Sequence, residues 1–428
     1  MTMACNGGGL LKSPAKGRGP LDAGAVVIGG DYRGLTVVRS LGRRGIPVWV
    51  LVDEQSIAAA SRYALCKKPW PGAESEAHQV QYLLDLAARH NLKGWTVIPT
   101  SDEHAALLAR HQSDLRAAFR IAASPWETLR WAYDKRLSPR LAQRLGMAHP
   151  RTWYPRSRDE LATLMCDFPV ILKPAIKAAA NPFTEAKAWK VNGRGELLAR
   201  YEEAAGLVDP SIIMVQELIP GGGESQFSYG ALCADGRALG SVVARRRRQY
   251  PIDFGRSSSY VETIAQPEVE AMAQRLLGEL RYTGLMEIEF KYDRRDGRYK
   301  LLDLNPRIWG WNSLSKPAGV DFPYLFWRLC QGREVAPVRA RPDVRWMRMT
   351  TDLPAAIAEA ARGRLSLAAY LRSFRRPLEF GVFAKDDLLP WLLEVPLLSI
   401  AKWKRRSRLA TAAPTGRSCS AKLREQVQ

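Results

Sequence analysis

Histidine is scarce in this chain. Its five copies, His78, His90, His104, His111 and His149, all fall within the first 149 of 428 residues. Chemistry in the second half therefore has no intrachain histidine base from that half and must run on carboxylates, lysines, arginines or metal. The six cysteines are scattered, with no CxxC pair. That excludes a thiolate metal cluster and a disulfide framework, and points inside the cell. No run reaches the ~18–20 apolar residues of a membrane span, and the N-terminal stretch lacks the apolar core of a signal peptide. Acid is in deficit: 43 Asp+Glu against 64 Lys+Arg give a net charge of +21. The excess is uneven. Residues 1–20 carry three basic residues and no acid, and residues 401–428 carry eight against Glu425 alone. The moderately basic remainder suits an anionic ligand such as a nucleotide. No nucleic-acid-binding motif accompanies it, so no nucleic-acid partner is expected.

What is present is ordinary for a globular chain: 46% apolar and 25% charged residues, enough for about three domains. Residues 1–21 read as a flexible lead-in. From residue 24 an apolar run, AVVIGG, leads into a helical pattern with Leu35, Val38 and Leu41 on one face, then a second apolar run to Val52. This βαβ opening predicts an α/β domain with a largely parallel sheet over 22–125. The character changes near His149–Pro155. Residues 126–335 read as a second, α+β domain of two subdomains, 126–215 and 216–335, with a cleft between them. Residues 336–428 form a C-terminal extension, helical and basic. Within it, 388–408 joins an apolar stretch containing Pro390, Glu394 and Pro396 to Lys402, Lys404, Arg405, Arg406 and Arg408. That composition suits peripheral contact with an anionic membrane, or a tail helix packed on the body.

The sharpest local signal is a hairpin, LMEIEFKYD followed by RYKLLDLN. Alternation puts Glu287 and Glu289 on one face of the first strand, and Asp303 and Asn305 on one face of the second. Opposing Glu289 to Asp303 requires an odd loop count, which a three-residue loop Arg295-Asp296-Gly297 with left-handed glycine satisfies. Oxygen donors from Glu289, Asp303 and Asn305 would then meet, as a hard divalent cation such as Mg²⁺ (or Mn²⁺) requires. Lys173 ends the apolar strand FPVILK and offers a point charge suited to phosphate; Lys135 lies upstream in YDKRL. In VQELIPGGGE a strand leaves into glycines. Its backbone, at Gln216, Glu217, Leu218 and Ile219, can meet an adenine edge, and Glu224 can accept from ribose hydroxyls.

Taken in order, these residues resemble the ATP-grasp superfamily over roughly residues 22–335. E-x(13)-D-x-N-x-R, from Glu289 to Arg307, is the most specific piece. The resemblance implies a pre-ATP-grasp domain followed by an ATP-grasp domain. It implies ATP held by Lys135, Lys173, Gln216, Glu217, Leu218, Ile219 and Glu224, and a metal held by Glu289, Asp303 and Asn305. Arg307 and Lys173 would be catalytic. The activity implied is a cytoplasmic, ADP-forming ligase that joins a small-molecule carboxylate to an amine (or thiol) through an acyl phosphate. Oligomeric state is not legible. One departure is the segment after Lys173, residues 176–184, which contains no glycine where a flexible phosphate lid is usual; Lys177, Asn181 or Lys187 would have to replace backbone contacts. An inactive, nucleotide-binding, membrane-peripheral descendant is the alternative reading.

Three further signals carry expectations. Gly29–Gly34 with Asp53 looks like a dinucleotide turn without the GxGxxG spacing, and close packing explains its glycines equally well. Ser101-Asp102-Glu103 follows the strand TVIP and reads as a helix cap, with Asp102 or Glu103 near substrate as a second role. Alternation through Arg245–Arg248 sends two arginines toward the cleft, and Trp309, Trp311 and Asn312 are expected on its substrate side.

Overall fold

A computed structural model describes residues 23–411 except 73–74, 177–180, 187, 254 and 256. The lead-in expected over 1–21 lies outside the described residues, as do Lys177 and Lys187 of the expected lid. The side chains of Lys404, Arg405, Arg406 and Arg408 also lie outside them.

The four residues of β1 (Ala25–Ile28) are all buried. They sit at the centre of a sheet with β2 (Val48–Val52), β3 (Cys66–Pro69), β4 (Trp95–Pro99) and β5 (Phe119–Arg120), in the order β3-β2-β1-β4-β5. Every pair is parallel, and the unbroken apolar runs of β1 and β2 are what burial on both faces demands. The helix Tyr32–Gly42 follows β1, capped by Asp31, whose carboxylate accepts from the N–H groups of Arg33 and Gly34. The glycine turn before it is filled by the chain itself. A Cβ on Gly29 would lie 2.0 Å from the Thr100 hydroxyl, and one on Gly30 2.0 Å from the Gln55 carbonyl. Asp53 accepts from the N–H groups of Gly30 and Gln55. Packing, not a dinucleotide, uses these groups.

A four-stranded antiparallel sheet comes next: β6 (Thr152–Trp153), β7 (Val170–Pro174), β8 (Trp189–Val191) and β9 (Ile213–Glu217), in the order β6-β9-β7-β8. It has its own core around Val170, Leu172 and Val215. A larger sheet is built from β10 (Gln226–Ala234), β11 (Arg237–Tyr250), β12 (Ser257–Thr263), β13 (Gly284–Asp293) and β14 (Arg298–Asn305), with β15 (Val338–Arg339), β16 (Arg345–Met347) and β17 (Leu378–Phe380). Its order is β14-β13-β10-β11-β12-β16-β17, with β15 beside β11.

Alternation along the long strands gives this sheet two apolar faces. Tyr229, Ala231, Met286 and Ile288 pack under the helix Pro267–Glu279. Leu232, Val242 and Leu285 belong to a core shared with β1 and the helix after it. The parallel domain and the large sheet are thus joined by hydrophobic burial.

The segment after residue 335 is woven into the body. It supplies β15, β16 and β17 to the large sheet, and its last described element is the helix Leu389–Thr411. Buried ion pairs fasten it to the body, Arg248 on Asp352 and Arg39 on Asp387, both at 2.9 Å, and within it Arg348 holds Glu394 of the last described helix at 2.8 Å.

Candidate active site

The hairpin β13–β14 places the carboxylates. Its ladder pairs Glu289 with Asp303 and Glu287 with Asn305. The route to that register differs from the three-residue loop expected. Asp293 pairs with Arg298, which leaves four loop residues, Arg294–Gly297. An irregularity then follows Glu289, where Phe290 pairs with Leu301 and Leu302 is the extra residue. A bulge adds one residue to one strand and restores the parity that the longer loop removes. Gly297 holds the expected left-handed conformation, at φ +68°.

Glu287, Glu289 and Asn305 are buried. The Asn305 amide donates to Glu287 at 3.4 Å and to Glu289 at 3.5 Å. Gln226 of β10 donates to Glu289, and Trp311 Nε1 donates to Glu287 at 2.7 Å. Burial, and then the neighbouring Glu289 charge, push the Glu287 carboxyl up to about 7. Two buried acids crowded in this way are a place where a cation would relieve repulsion. Among the described residues, no three His, Cys, Asp or Glu side chains converge to hold a metal by themselves. The donor set available is Glu289, Asp303 and the Asn305 amide. It is all oxygen and incomplete without further oxygens, which fits Mg²⁺, an ion that keeps waters and phosphates in its shell.

Positive charge surrounds these acids. Lys135 follows the helix Trp126–Tyr133, and its N–H bonds the Ala175 carbonyl beyond β7. Its ammonium lies 2.5 Å from Asp303. Burial alone would lower the Lys135 pKa; the Asp303 carboxylate, with Asp102 and Glu289 beyond it, holds it above the ordinary lysine value. Arg246 of β11 is buried, donates to Gln226 at 2.8 Å, and approaches Glu289 to 3.7 Å. Arg307 donates to Asn305 at 3.0 Å and reaches Asp102 of the first domain, also at 3.0 Å. Asp102 opens the helix Asp102–Arg110, whose cap is Ser101.

A cavity of about 1260 Å³ lies between the small and large sheets. Of the residues singled out in the sequence, Lys173, Gln216, Glu217, Leu218, Ile219, Glu224, Glu289 and Asp303 line it. Lys135 contacts it through Asp303. Asn305 and Arg307 lie one step further along the hairpin, toward the first domain. The Gln216 side chain bonds Thr152, and the Glu217 carboxylate is held by Arg295 at 2.5 Å and by the Arg151 N–H at 3.0 Å. Both side chains are thus used within the fold. Leu218 and Ile219 lie past the last ladder pair, Val170–Glu217. The glycine run is moored by Lys291 on the Gly221 carbonyl and by Arg245 on the Glu224 carbonyl.

Two expectations are corrected. Trp309 and Trp311 do not line the cleft. They are 0% and 2% exposed in the shared core, and Trp309 fills the space a side chain at Gly230 would need, 2.4 Å from that Cβ position. Of the four consecutive arginines, two do line the cavity, but they are neighbours, Arg247 and Arg248, because the β11–β12 register shifts at Arg246–Gln249; Arg246 is buried against Glu289 and Arg248 anchors Asp352. Gln226 and Lys291 were not singled out from the sequence. No local pattern marks them, because their roles come from strands far apart in the chain.

Residues 210–351 match the family described as ATP-grasp in the biosynthetic pathway with Ter operon. A D-aspartate ligase of Enterococcus faecium is 24% identical over 258 residues, which is 55% of this chain and 59% of that protein. The chain thus spans about three fifths of that curated relative. Among solved structures, an L-amino acid ligase from Bacillus licheniformis superposes with a TM-score of 0.56 at 15% identity, covering 73% of this chain and 75% of that one. The biotin carboxylase domain of Hydrogenobacter thermophilus 2-oxoglutarate carboxylase, in complex with MgADP and bicarbonate, gives 0.58 at 15% identity, over 75% and 73% of the two chains.

Proposed function

We propose that this chain, a member of the ATP-grasp superfamily, is an ADP-forming ligase that joins a small-molecule carboxylate to an amine through an acyl phosphate. The observation that carries the reading is the pairing of Glu289 with Asp303, beside Lys135 and Arg246, at the edge of a cleft between two sheets.

The base of ATP meets the backbone of the Gln216–Ile219 segment, chiefly at Leu218 and Ile219, which lie past the last ladder pair, and Glu224 accepts from the ribose. Lys173 and Lys135 hold phosphate oxygens as point charges. Glu289, Asp303 and Asn305 would hold Mg²⁺ (or Mn²⁺), which would neutralise charge on the phosphates. Lys135, on Asp303 at 2.5 Å, stands beside that position with its ammonium within reach of phosphate oxygens. Arg307 is oriented by Asn305 and Asp102 and stabilises the charge that develops as the carboxylate attacks the terminal phosphate. Phosphoryl transfer asks the protein for positioning and neutralisation, so the lack of histidine is no obstacle.

ADP release in the presence of acid–amine pairs tests this. It should vanish in Glu289→Ala and Asn305→Ala. Unchanged turnover in both variants defeats the reading, and ATP-dependent thermal stabilisation with no ADP from any pair favours an inactive nucleotide-binding module instead.

The reading extends to location: a cytoplasmic protein that touches an anionic membrane through 388–408. No described helix is long and apolar enough to cross a membrane. Support comes from exposure: of the fifteen exposed large apolar side chains among the described residues, eleven lie between Leu353 and Trp403, including Leu389, Leu392 and Val395 of the last helix. Sedimentation with phosphatidylglycerol vesicles, but not with phosphatidylcholine ones, is expected, weakened by Leu392→Ser/Val395→Ser. Equal binding to both lipids, or none, defeats it.

A further inference from the structure

The cleft is larger than a nucleotide requires. About 1260 Å³ exceeds the ~300–1,000 Å³ of ordinary small-molecule sites. Its lining runs from Lys173, Glu289 and Asp303 to Arg345 of β16 and to Arg372 and Arg375 at the end of the helix Leu367–Arg372. Sheet order sets the separation. From β13 the sequence is β10, β11, β12, then β16. At ~4.8 Å per strand the far end lies ~14–19 Å from the carboxylates.

The far end is built firmly. Arg248 is buried, donates to Asp352 with two nitrogens at 2.9 Å and to Ser373 at 2.9 Å. It also sits 4.3 Å from the Tyr260 ring centroid. This hub fixes the helices Met349–Ala361 and Leu367–Arg372 over β11 and β12.

Charge at this end does not cancel. Arg247 and Arg345 share Glu262, at 2.7 Å and 3.2 Å, and Arg364 takes Glu359 at 2.6 Å. Arg372 and Arg375 line the same wall, and neither has a carboxylate partner among the described residues. Two arginines with unused forks facing one cavity suit a carboxylate or phosphate.

We propose that this end of the cleft is an anion-binding annex. It takes a second acidic group, carboxylate or phosphate, of an elongated substrate whose other end is activated beside Glu289 and Asp303. The inference rests on the ligase reading for the substrate's identity, but the annex itself can be tested without turnover. Tricarballylate serves as the probe, titrated calorimetrically into the full chain saturated with Mg²⁺ and a non-hydrolysable ATP analogue. One equivalent should bind, at least tenfold more weakly in Arg372→Ala/Arg375→Ala and with partial recovery in Arg372→Lys/Arg375→Lys, while affinity for the analogue stays within twofold. No binding, binding unchanged by the double alanine variant, or binding abolished by the analogue overturns the annex. A chain that holds tricarballylate through Arg372 and Arg375 yet never forms ADP keeps the annex and loses the ligase.

Discussion

The β13–β14 hairpin carries two polar clusters, and they are built on opposite terms. Near its turn, Asp293 is fully buried and held by Lys300 at 2.7 Å and Arg295 at 2.6 Å. Arg295 also binds Glu217 of β9. The Arg295 and Lys300 partners hold the Asp293 carboxyl well below the usual carboxylate range. At the other end, Glu287 and Glu289 stand together with the amides of Asn305 and Gln226, the Trp311 indole and Arg246 at 3.7 Å, and Glu287 is pushed upward by burial and by its neighbour. Every charge in the first cluster has its complement, so the cluster works as a staple that ties the hairpin to the small sheet. In the second, Lys135 and Arg307 are engaged by Asp303 and Asp102, and the repulsion that raises Glu287 is what a cation with phosphates would relieve. Both clusters lie on one pair of strands, so secondary structure does not distinguish them; the partners brought in from elsewhere do.

Exchanging the two ends by mutation should separate activity from stability. The largest effect expected is on catalysis: Glu289→Ala lowers ADP formation by ~10²-fold or more, with a denaturation midpoint close to wild type. Next is Asp293→Ala, which removes the nearest partner of the buried Lys300, leaves it Asp296 at 3.2 Å and Glu217 at 3.7 Å, and costs about 1–3 kcal/mol in urea unfolding, while the ADP formed per folded molecule changes little. A large activity loss at full stability in Asp293→Ala would erase the distinction between the clusters.

A smaller effect, but one of opposite sign at the two ends, is expected in the pH dependence of stability. The folded pKa of Asp293 is depressed, so its contribution is complete above the ordinary carboxylate value of ~4 and is lost as pH falls below it. The folded pKa of Glu287 is raised, so the native state binds the proton more tightly and stability falls as pH rises from about 4.5 to about 7. Glu287→Gln should flatten the fall on that side alone, and Asp293→Asn the acid side alone. Thermal midpoints measured from pH 3 to 8 would show it; a Glu287→Gln profile that still falls across pH 5–7 refutes this account.

Much of the architecture was legible in local pattern. The apolar runs of β1 and β2 announced the parallel sheet, and alternation in LMEIEFKYD and RYKLLDLN announced the hairpin. The register was reached through two departures that cancel. A loop of four residues moves the pairing by one, and the extra residue Leu302 moves it back. Neither departure has a signature in the string, because a bulge is favoured by how the strand twists against its neighbours. The short strands β15, β16 and β17 were missed, since two or three residues display no period. Trp309 and Trp311 were expected on the cleft's substrate side, yet both are core: Gly230 on β10 leaves a space that the Trp309 indole fills, and Trp311 bonds the buried Glu287.

By itself the sequence determined the kinds of chemistry available and their order. It named the lysines, the strand that opens into glycines, and the spaced Glu, Asp, Asn and Arg that resemble one superfamily, because strand alternation is a local rule. Tertiary structure decided which of these groups meet. It set Lys135 on Asp303 across 168 residues, Asp102 of the first domain on Arg307, and Arg248 on Asp352 to close the far wall of the cleft. Such pairings depend on how sheets stack and which strands become neighbours. That is set by burial summed over the whole chain, and no local stretch of residues encodes it.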